Sequence, residues 1–103
     1  MKALLDQTPA PPGWFAYYYR PGETEIWALP VALWVLVEDS TPTSATVEYR
    51  AHVVGRLGQV IDYAAYDGTL LCLLPPGIDH GYFVRQFLPE DMRATAVLPA
   101  MLN

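Results

Sequence analysis

The chain has 103 residues, enough for one domain, and 52% of them are hydrophobic while only 17% are charged. Because an average globular domain carries about 25% charged residues, this composition predicts a folded chain and not a disordered one. The formal net charge is −5 and the few basic residues form no cluster, so binding to a nucleic-acid backbone, which needs clustered cations, is not expected.

The N-terminal segment, residues 1–13, holds three prolines and ends with Gly13. Proline fixes φ and removes an amide donor, so this composition predicts a flexible leader, followed by a single β-rich domain over residues 14–103. The apolar patch before Asp6 has only three residues, too few for the apolar core of a secretory signal. We therefore expect a soluble cytoplasmic protein that does not bind membranes.

A first strand is predicted at residues 14–20 (WFAYYYR), where aromatic side chains precede the turn-forming pair Pro21-Gly22. This segment is followed by twelve consecutive apolar residues, Ile26–Val37. We interpret the run as a strand, the alternative being a short helix over Val31–Asp39 that begins at Pro30.

The same run predicts association as well as structure. Side chains of a strand alternate between two faces, so a run that is apolar at every position must be covered on both faces. In a chain this small, the core supplies one cover, and we expect a second layer or a second molecule to supply the other.

Ala45–Val54 alternates apolar and polar residues, which predicts a strand with one face inward. A turn at 55–58 leads to a predicted strand over Gln59–Tyr66. Asp67-Gly68 is a typical two-residue hairpin signal and leads to a further strand at Thr69–Leu74. The sequence therefore predicts a three-stranded meander from residue 45 to residue 74.

The C-terminal part is predicted to contain one more strand, Tyr82–Leu88, and a helical turn at 89–93, where Pro89 precedes two acidic residues. Five to six short strands indicate a mainly β fold. We expect a small antiparallel barrel, SH3-like in architecture, or a curled sheet, with an open α+β sheet as the alternative.

Cys72 is the one cysteine and lies within an apolar segment, so we interpret it as a buried hydrophobic residue and not as a nucleophile. The sequence contains no CxxC, HxH or HExxH spacing of the kind that binds metals. No metal and no cofactor are expected.

The residues with catalytic potential are the two histidines and their acidic neighbours. His52 lies on the polar face of its predicted strand, and His80 follows Asp79 in a predicted loop. A fold that brought both histidines together with Asp62 or Asp79 would form a general acid–base site. Exposed polar faces and turns explain the same residues, so His52, Asp62, Asp79 and His80 are weak candidates.

Aromatic residues are the stronger functional signal, because tyrosine and tryptophan are enriched where proteins bind each other. If 14–20 is a strand, its aromatic residues lie on both faces, more than one small core accommodates. We expect an exposed member such as Tyr18 to contact a partner. The candidate partner-binding residues are Trp14, Tyr17, Tyr18, Tyr19, Trp27 and Trp34.

These observations predict a small non-enzymatic protein-interaction module, which acts as an adaptor, an inhibitor or a homo-oligomeric subunit. The surplus of aromatic and apolar surface, without a catalytic set of residues, is the reason. The alternative is a small hydrolase or lyase that uses His52, His80 and a carboxylate.

Overall fold

The computed structural model of the protein describes residues 2–99. These residues form one antiparallel sheet of six strands in the order β5-β4-β3-β2-β6, with β1 also paired to β3. The sheet does not close, so the curled sheet is confirmed and the SH3-like barrel is not formed. The elements are β1 (Lys2–Pro9), β2 (Phe15–Tyr19), β3 (Trp27–Ser40), β4 (Ala45–Val54), β5 (Val60–Asp62), β6 (Thr69–Leu74), helix α1 (His80–Phe87) and the 3₁₀ turns Tyr63–Ala65 and Glu90–Met92.

The long strand β3 organises the sheet. One of its edges pairs first with β2, ending at Pro30, and then with β1, beginning at Leu33, while the other edge pairs with β4 from Val31 onward. The predicted strand is confirmed, and the helix considered as the alternative does not form. Pro30 is tolerated because the β4 ladder begins only at the next residue, Val31. The missing N–H of Pro30 therefore removes no hydrogen bond from that ladder.

The N-terminal segment differs from the prediction of a flexible leader. Residues Lys2–Pro9 form β1, which pairs with β3 from Asp39 to Leu33 and contains a bulge between Leu4 and Asp6. The prolines do not prevent a strand here, because β1 lies at the edge of the sheet and Pro9 is its last residue, where no ladder bond is lost. Its partner is also distant in sequence, so no local pattern indicates the pairing.

The adjacent tyrosines of β2 are buried on opposite faces of the sheet, where each belongs to a separate core. Tyr18 packs in the first core with apolar residues of β3 and β4, and Tyr17 packs in the second core with β6 and α1. One small core does not accommodate both faces, and the structure resolves this by covering each face separately. The fully buried large side chains are Tyr17, Tyr18, Ile26, Val53 and Val84.

The segment predicted as the last strand is helix α1, so that prediction is wrong. Asp79 caps the helix, its carboxylate accepting a hydrogen bond from the backbone N–H of Tyr82 at 3.1 Å. Gly81, Val84 and Leu88 are buried at helical spacing. The aromatic content of this segment predicts a strand, but the Asp79 cap and the helical spacing of the buried residues stabilise a helix. The predicted helical turn after Pro89 is confirmed.

The predicted meander is wrong in its second half. Strand β5 ends at Asp62 and is followed by a 3₁₀ turn, and β6 pairs with β2 instead of β5. Asp67-Gly68 is therefore not a hairpin, and neither residue adopts the positive φ of a type I′ turn. The turn at 55–58 is confirmed, with Gly58 at φ 84°.

Cys72 is buried in the second core, as predicted, and burial raises the pKa of its thiol to about 11. None of the helical segments between residues 2 and 99 has the length and apolar composition needed to cross a membrane.

The connection from β1 to β2 depends on Gly13. This residue has φ 101°, and a Cβ placed on it would lie 2.5 Å from the Cβ of Pro76 in the loop before α1. Gly22 has a similar φ of 86° but open space around it. We expect Gly22→Ala to lower the free energy of unfolding by about 1–2 kcal/mol, from its backbone conformation alone.

Gly13→Ala has the same unfavourable backbone conformation and in addition clashes with Pro76. We therefore expect it to lower the free energy of unfolding by about 1 kcal/mol or more beyond the effect of Gly22→Ala. Urea unfolding of both variants measures the difference. Equal losses would show that the loop before α1 is not packed against Gly13.

Candidate functional site

The half of β3 that follows Leu33 leaves the two cores and enters a smaller sheet. We define the distal sheet as residues 3–8 of β1, 34–40 of β3 and 45–50 of β4. Residues 41–49 are exposed throughout, as are 3–9. The molecule is correspondingly elongated, with extents of 47 × 28 × 26 Å.

One face of the distal sheet is apolar and uncovered. Strand register places Leu36 of β3 beside Tyr49 of β4, and Trp34 lies on the same face two residues earlier. Tyr49 is 68% exposed and Val47 is 56% exposed. We define the Tyr49 face as the side chains that share this side of the distal sheet, and its apolar members are Trp34, Leu36, Val47 and Tyr49.

The Tyr49 face continues into a groove beside the first core. Trp34 and Tyr49 line a cavity of about 210 Å³ together with Tyr63 and two leucines of β6. Trp34 is held by an edge-to-face contact with Trp14, whose ring centroid lies 5.0 Å away. Such aromatic contacts are favourable, so Trp34 is supported from behind at the base of the groove.

The charges on the Tyr49 face are all negative. Register places Asp6 beside Leu36, and Glu38 beside Val47, on this face. The face carries no lysine or arginine, and neither carboxylate forms an ion pair with another residue in the described part of the chain. The apolar centre is therefore flanked by unneutralised acidic groups.

The opposite face of the distal sheet carries a charged network at the end nearest β5. Arg50 donates from Nε to Asp62 Oδ2 at 2.6 Å and from Nη2 to Oδ1 at 2.9 Å, while Nη1 donates to Glu48 at 2.9 Å. Val35, directly opposite Arg50 in register, is only 5% exposed. The Arg50 guanidinium holds the pKa of Asp62 below its ordinary value.

His52 and Asp62 come together, as the candidate site required, but within this network. The Nε2 atom of His52 lies 3.9 Å from Asp62 Oδ2, beyond hydrogen-bond distance. Both carboxylate oxygens of Asp62 already bind Arg50, and one also accepts from the backbone N–H of Ala64. The carboxylate is positioned to hold Arg50 and not to orient His52.

His80 lies against the second core and uses both ring nitrogens there. Nε2 lies 2.6 Å from the carbonyl oxygen of Pro75, which only accepts, so Nε2 carries the proton. Nδ1 then accepts from the hydroxyl of Tyr17 at 2.7 Å. Asp79 caps α1 instead of contacting His80, so these two candidates have separate structural roles.

The two histidines have different contacts: His52 lies nearest Asp62, whereas His80 contacts Tyr17 and Pro75. No hydrogen bond or ion pair joins His52 with His80 in residues 3–99. The same residues contain no group of three or more histidine, cysteine or acidic side chains placed to hold a metal ion.

The predicted aromatic docking residues fall into three groups. Tyr17 and Tyr18 are buried, and Tyr18 is only 1% exposed, so the expectation of an exposed Tyr18 is wrong. Partial burial against one of the two cores is found for Trp14, Tyr19 and Trp27. Trp34 also packs against a core and in addition lies on the Tyr49 face.

Tyr49 is the surface residue that the sequence interpretation missed. Alternation along β4 placed it on the inward face, together with Ala51 and Val53, which are indeed buried. The predicted face of β4 is correct, but the first core ends before it reaches Tyr49. The long β3–β4 pairing is the signal that could have shown this, because 14 residues of strand extend well beyond a small core.

Comparison with protein-family models, with curated proteins and with solved structures finds no match for this chain. Functional inference therefore depends on its own geometry. That geometry combines an uncovered apolar face flanked by acidic groups with histidines that serve packing and hydrogen bonding.

The Arg50–Asp62 pair should make stability depend on pH. Because the pKa of Asp62 is lower in the folded state than in the unfolded state, its contribution is complete above the unfolded pKa, about 4, and is lost as pH falls through the folded pKa. Asp62→Asn removes the charge, and we expect it to cost about 1–2 kcal/mol at neutral pH.

The cost of Asp62→Asn should shrink as the pH falls below about 4, which urea unfolding at a series of pH values will measure. The control is Asp91→Asn, which removes an exposed carboxylate from the last 3₁₀ turn and should have little effect. A cost of Asp62→Asn that stays constant into strong acid would contradict the assignment.

Proposed function

We propose that the protein is a non-enzymatic protein-interaction module, an adaptor or inhibitor, that docks through the Tyr49 face. The supporting observation is that Tyr49 and Val47 are exposed side by side with Leu36 and Trp34 on one face of a regular sheet. Large apolar side chains grouped on one exposed surface typically mark an interaction site. Trp34, at the base of this face, packs against Trp14, so it loses little side-chain entropy on binding.

The charges favour a particular kind of partner. Asp6 and Glu38 flank the apolar centre, and no basic side chain accompanies them on this face. A second copy packed through the same face would bring these acids close to their own equivalents, which costs free energy. The proposed partner is therefore a protein whose apolar docking surface is surrounded by lysine or arginine side chains.

The hydrolase or lyase alternative has less support. His80 uses both nitrogens for structural hydrogen bonds, and His52 lies beside a carboxylate already occupied by Arg50. An interaction module needs none of these groups for chemistry, and it explains why the apolar surface of the distal sheet is left open.

Site-specific photocrosslinking tests the proposal. A photoreactive phenylalanine analogue replaces Tyr49 on the distal sheet or, as the matched control, Tyr82, which is 57% exposed on α1. We expect position 49, and not position 82, to give a discrete crosslink to another protein in the native lysate. Asp6→Asn and Glu38→Gln, introduced into the protein with the analogue at position 49, should weaken the crosslink. High salt should weaken it too, because both changes reduce attraction to basic groups.

Each outcome decides a different part of the proposal. A crosslink that is stronger in high salt and contains only a second copy of the chain would replace the basic partner with self-association. Sedimentation of the purified protein at increasing concentration would then show dimers. Equal or absent crosslinking at positions 49 and 82 would overturn the interaction role of the Tyr49 face.

A further inference from the structure

A second open cavity lies outside the distal sheet, between the turn at 55–58 and the segment that follows β5. Its volume is about 560 Å³, and two arginines, Arg20 and Arg56, contribute to its wall. We propose that this cavity binds a small organic anion, a carboxylate or phosphate attached to an apolar body. The proposal is independent of the Tyr49 face, since none of the lining residues belongs to the distal sheet.

Arg56 is oriented by stacking and has no anionic partner. Its Cζ atom lies 3.8 Å from the centroid of the Trp27 ring, a distance typical of a cation–π contact. Arg56 makes no hydrogen bond or ion pair with any other described residue. Arg56 is also exposed, so its N–H groups are accessible to a carboxylate or phosphate, which guanidinium groups bind in two-point contacts.

Arg20 supplies a second positive charge in the same wall. Its Nε donates to the carbonyl oxygen of Asp67 at 2.8 Å, which fixes the side chain. Its Nη1 and Nη2 atoms lie 3.9 Å from Glu23 and 3.7 Å from Asp67, too far for hydrogen bonds. Asp67 also lines the cavity, but its carboxylate is 95% exposed, so solvent weakens its competition for the guanidinium.

The rest of the wall supports a ligand with an apolar part. Ile61 and Ala65 line the cavity together with the ring of Tyr66. The hydroxyl of Tyr66 and the indole N–H of Trp27, on which Arg56 stacks, are buried without hydrogen-bond partners among the described residues. Both atoms are shielded from solvent, so they lie behind the cavity wall, and the polar contacts of a bound anion fall to the two arginines.

Nuclear magnetic resonance titration of the full chain tests the site. The probes are benzoate and phenyl phosphate, with benzyl alcohol as a neutral molecule of similar size and inorganic phosphate as an anion without an apolar body. The indole N–H of Trp27 and the Nε–H of Arg56 report binding. We expect saturable shifts with the two aromatic anions, and weaker or no shifts with the other two probes.

Arg56→Gln should raise the Kd of phenyl phosphate about tenfold, through loss of a two-point charged contact. Arg85→Gln, which removes an exposed arginine from α1, is the matched control and should leave the Kd unchanged. Arg56→Lys keeps the charge but not the planar edge, so its Kd should lie between those of the native protein and Arg56→Gln.

Unchanged amide shifts elsewhere in the spectrum will show that each variant is folded. The absence of saturable shifts with both aromatic anions would overturn the site. So would equal binding of benzyl alcohol, or an unchanged Kd in both Arg56 variants. Binding of inorganic phosphate as tight as that of phenyl phosphate would overturn the apolar part of the assignment.

Discussion

Pairing along both edges of β3 is the constraint on which the rest of the structure depends. One edge holds β2 and then β1, and the other holds β4, so a single strand runs through two different environments. Its first half lies between the two cores, where Leu29 and Val31 are buried. Its second half lies beside the Arg50 network on one face, and on the other face Trp34 packs against the first core while Tyr49 and Val47 next to it are exposed. The elongated shape and the exposed apolar surface both follow from this.

This division separates the packed cores from an exposed apolar surface. The adjacent tyrosines of β2 each anchor a core, and both histidines lie in contacts within the folded body, so most of the residues that suggested chemistry serve structure. Part of the exposed apolar surface lies on the distal sheet, flanked by Asp6 and Glu38, and another part lies on α1 at Tyr82 and Phe87. Negative charge near an apolar centre favours partners of opposite charge and disfavours self-association. The arginine-lined cavity lies elsewhere, so the chain has two chemically different surfaces.

The sequence predicts local structure here better than tertiary contacts. The apolar run of β3, the alternation of β4 and the burial of Cys72 are visible in the sequence because each depends on neighbouring residues. The pairing of β6 with β2 and of β1 with β3 joins distant segments, and no local signal indicates it. Alternation assigned Tyr49 to the correct face, but exposure depends on where the core ends. Helix α1 had a local signal in Asp79, which the aromatic residues outweighed.

Native-state hydrogen exchange along β3, in dilute protein, measures whether the two halves of this strand are covered to different extents. Backbone amides of both halves are paired in the same strand, so differences in protection report how well each half is covered. We expect the amides of residues 27–29 and 31 to exchange only through global unfolding, whereas those of 36–40 exchange through local opening with a lower free energy. Equal opening free energies along the whole strand would contradict it, because the distal half would then be as firmly packed as the core.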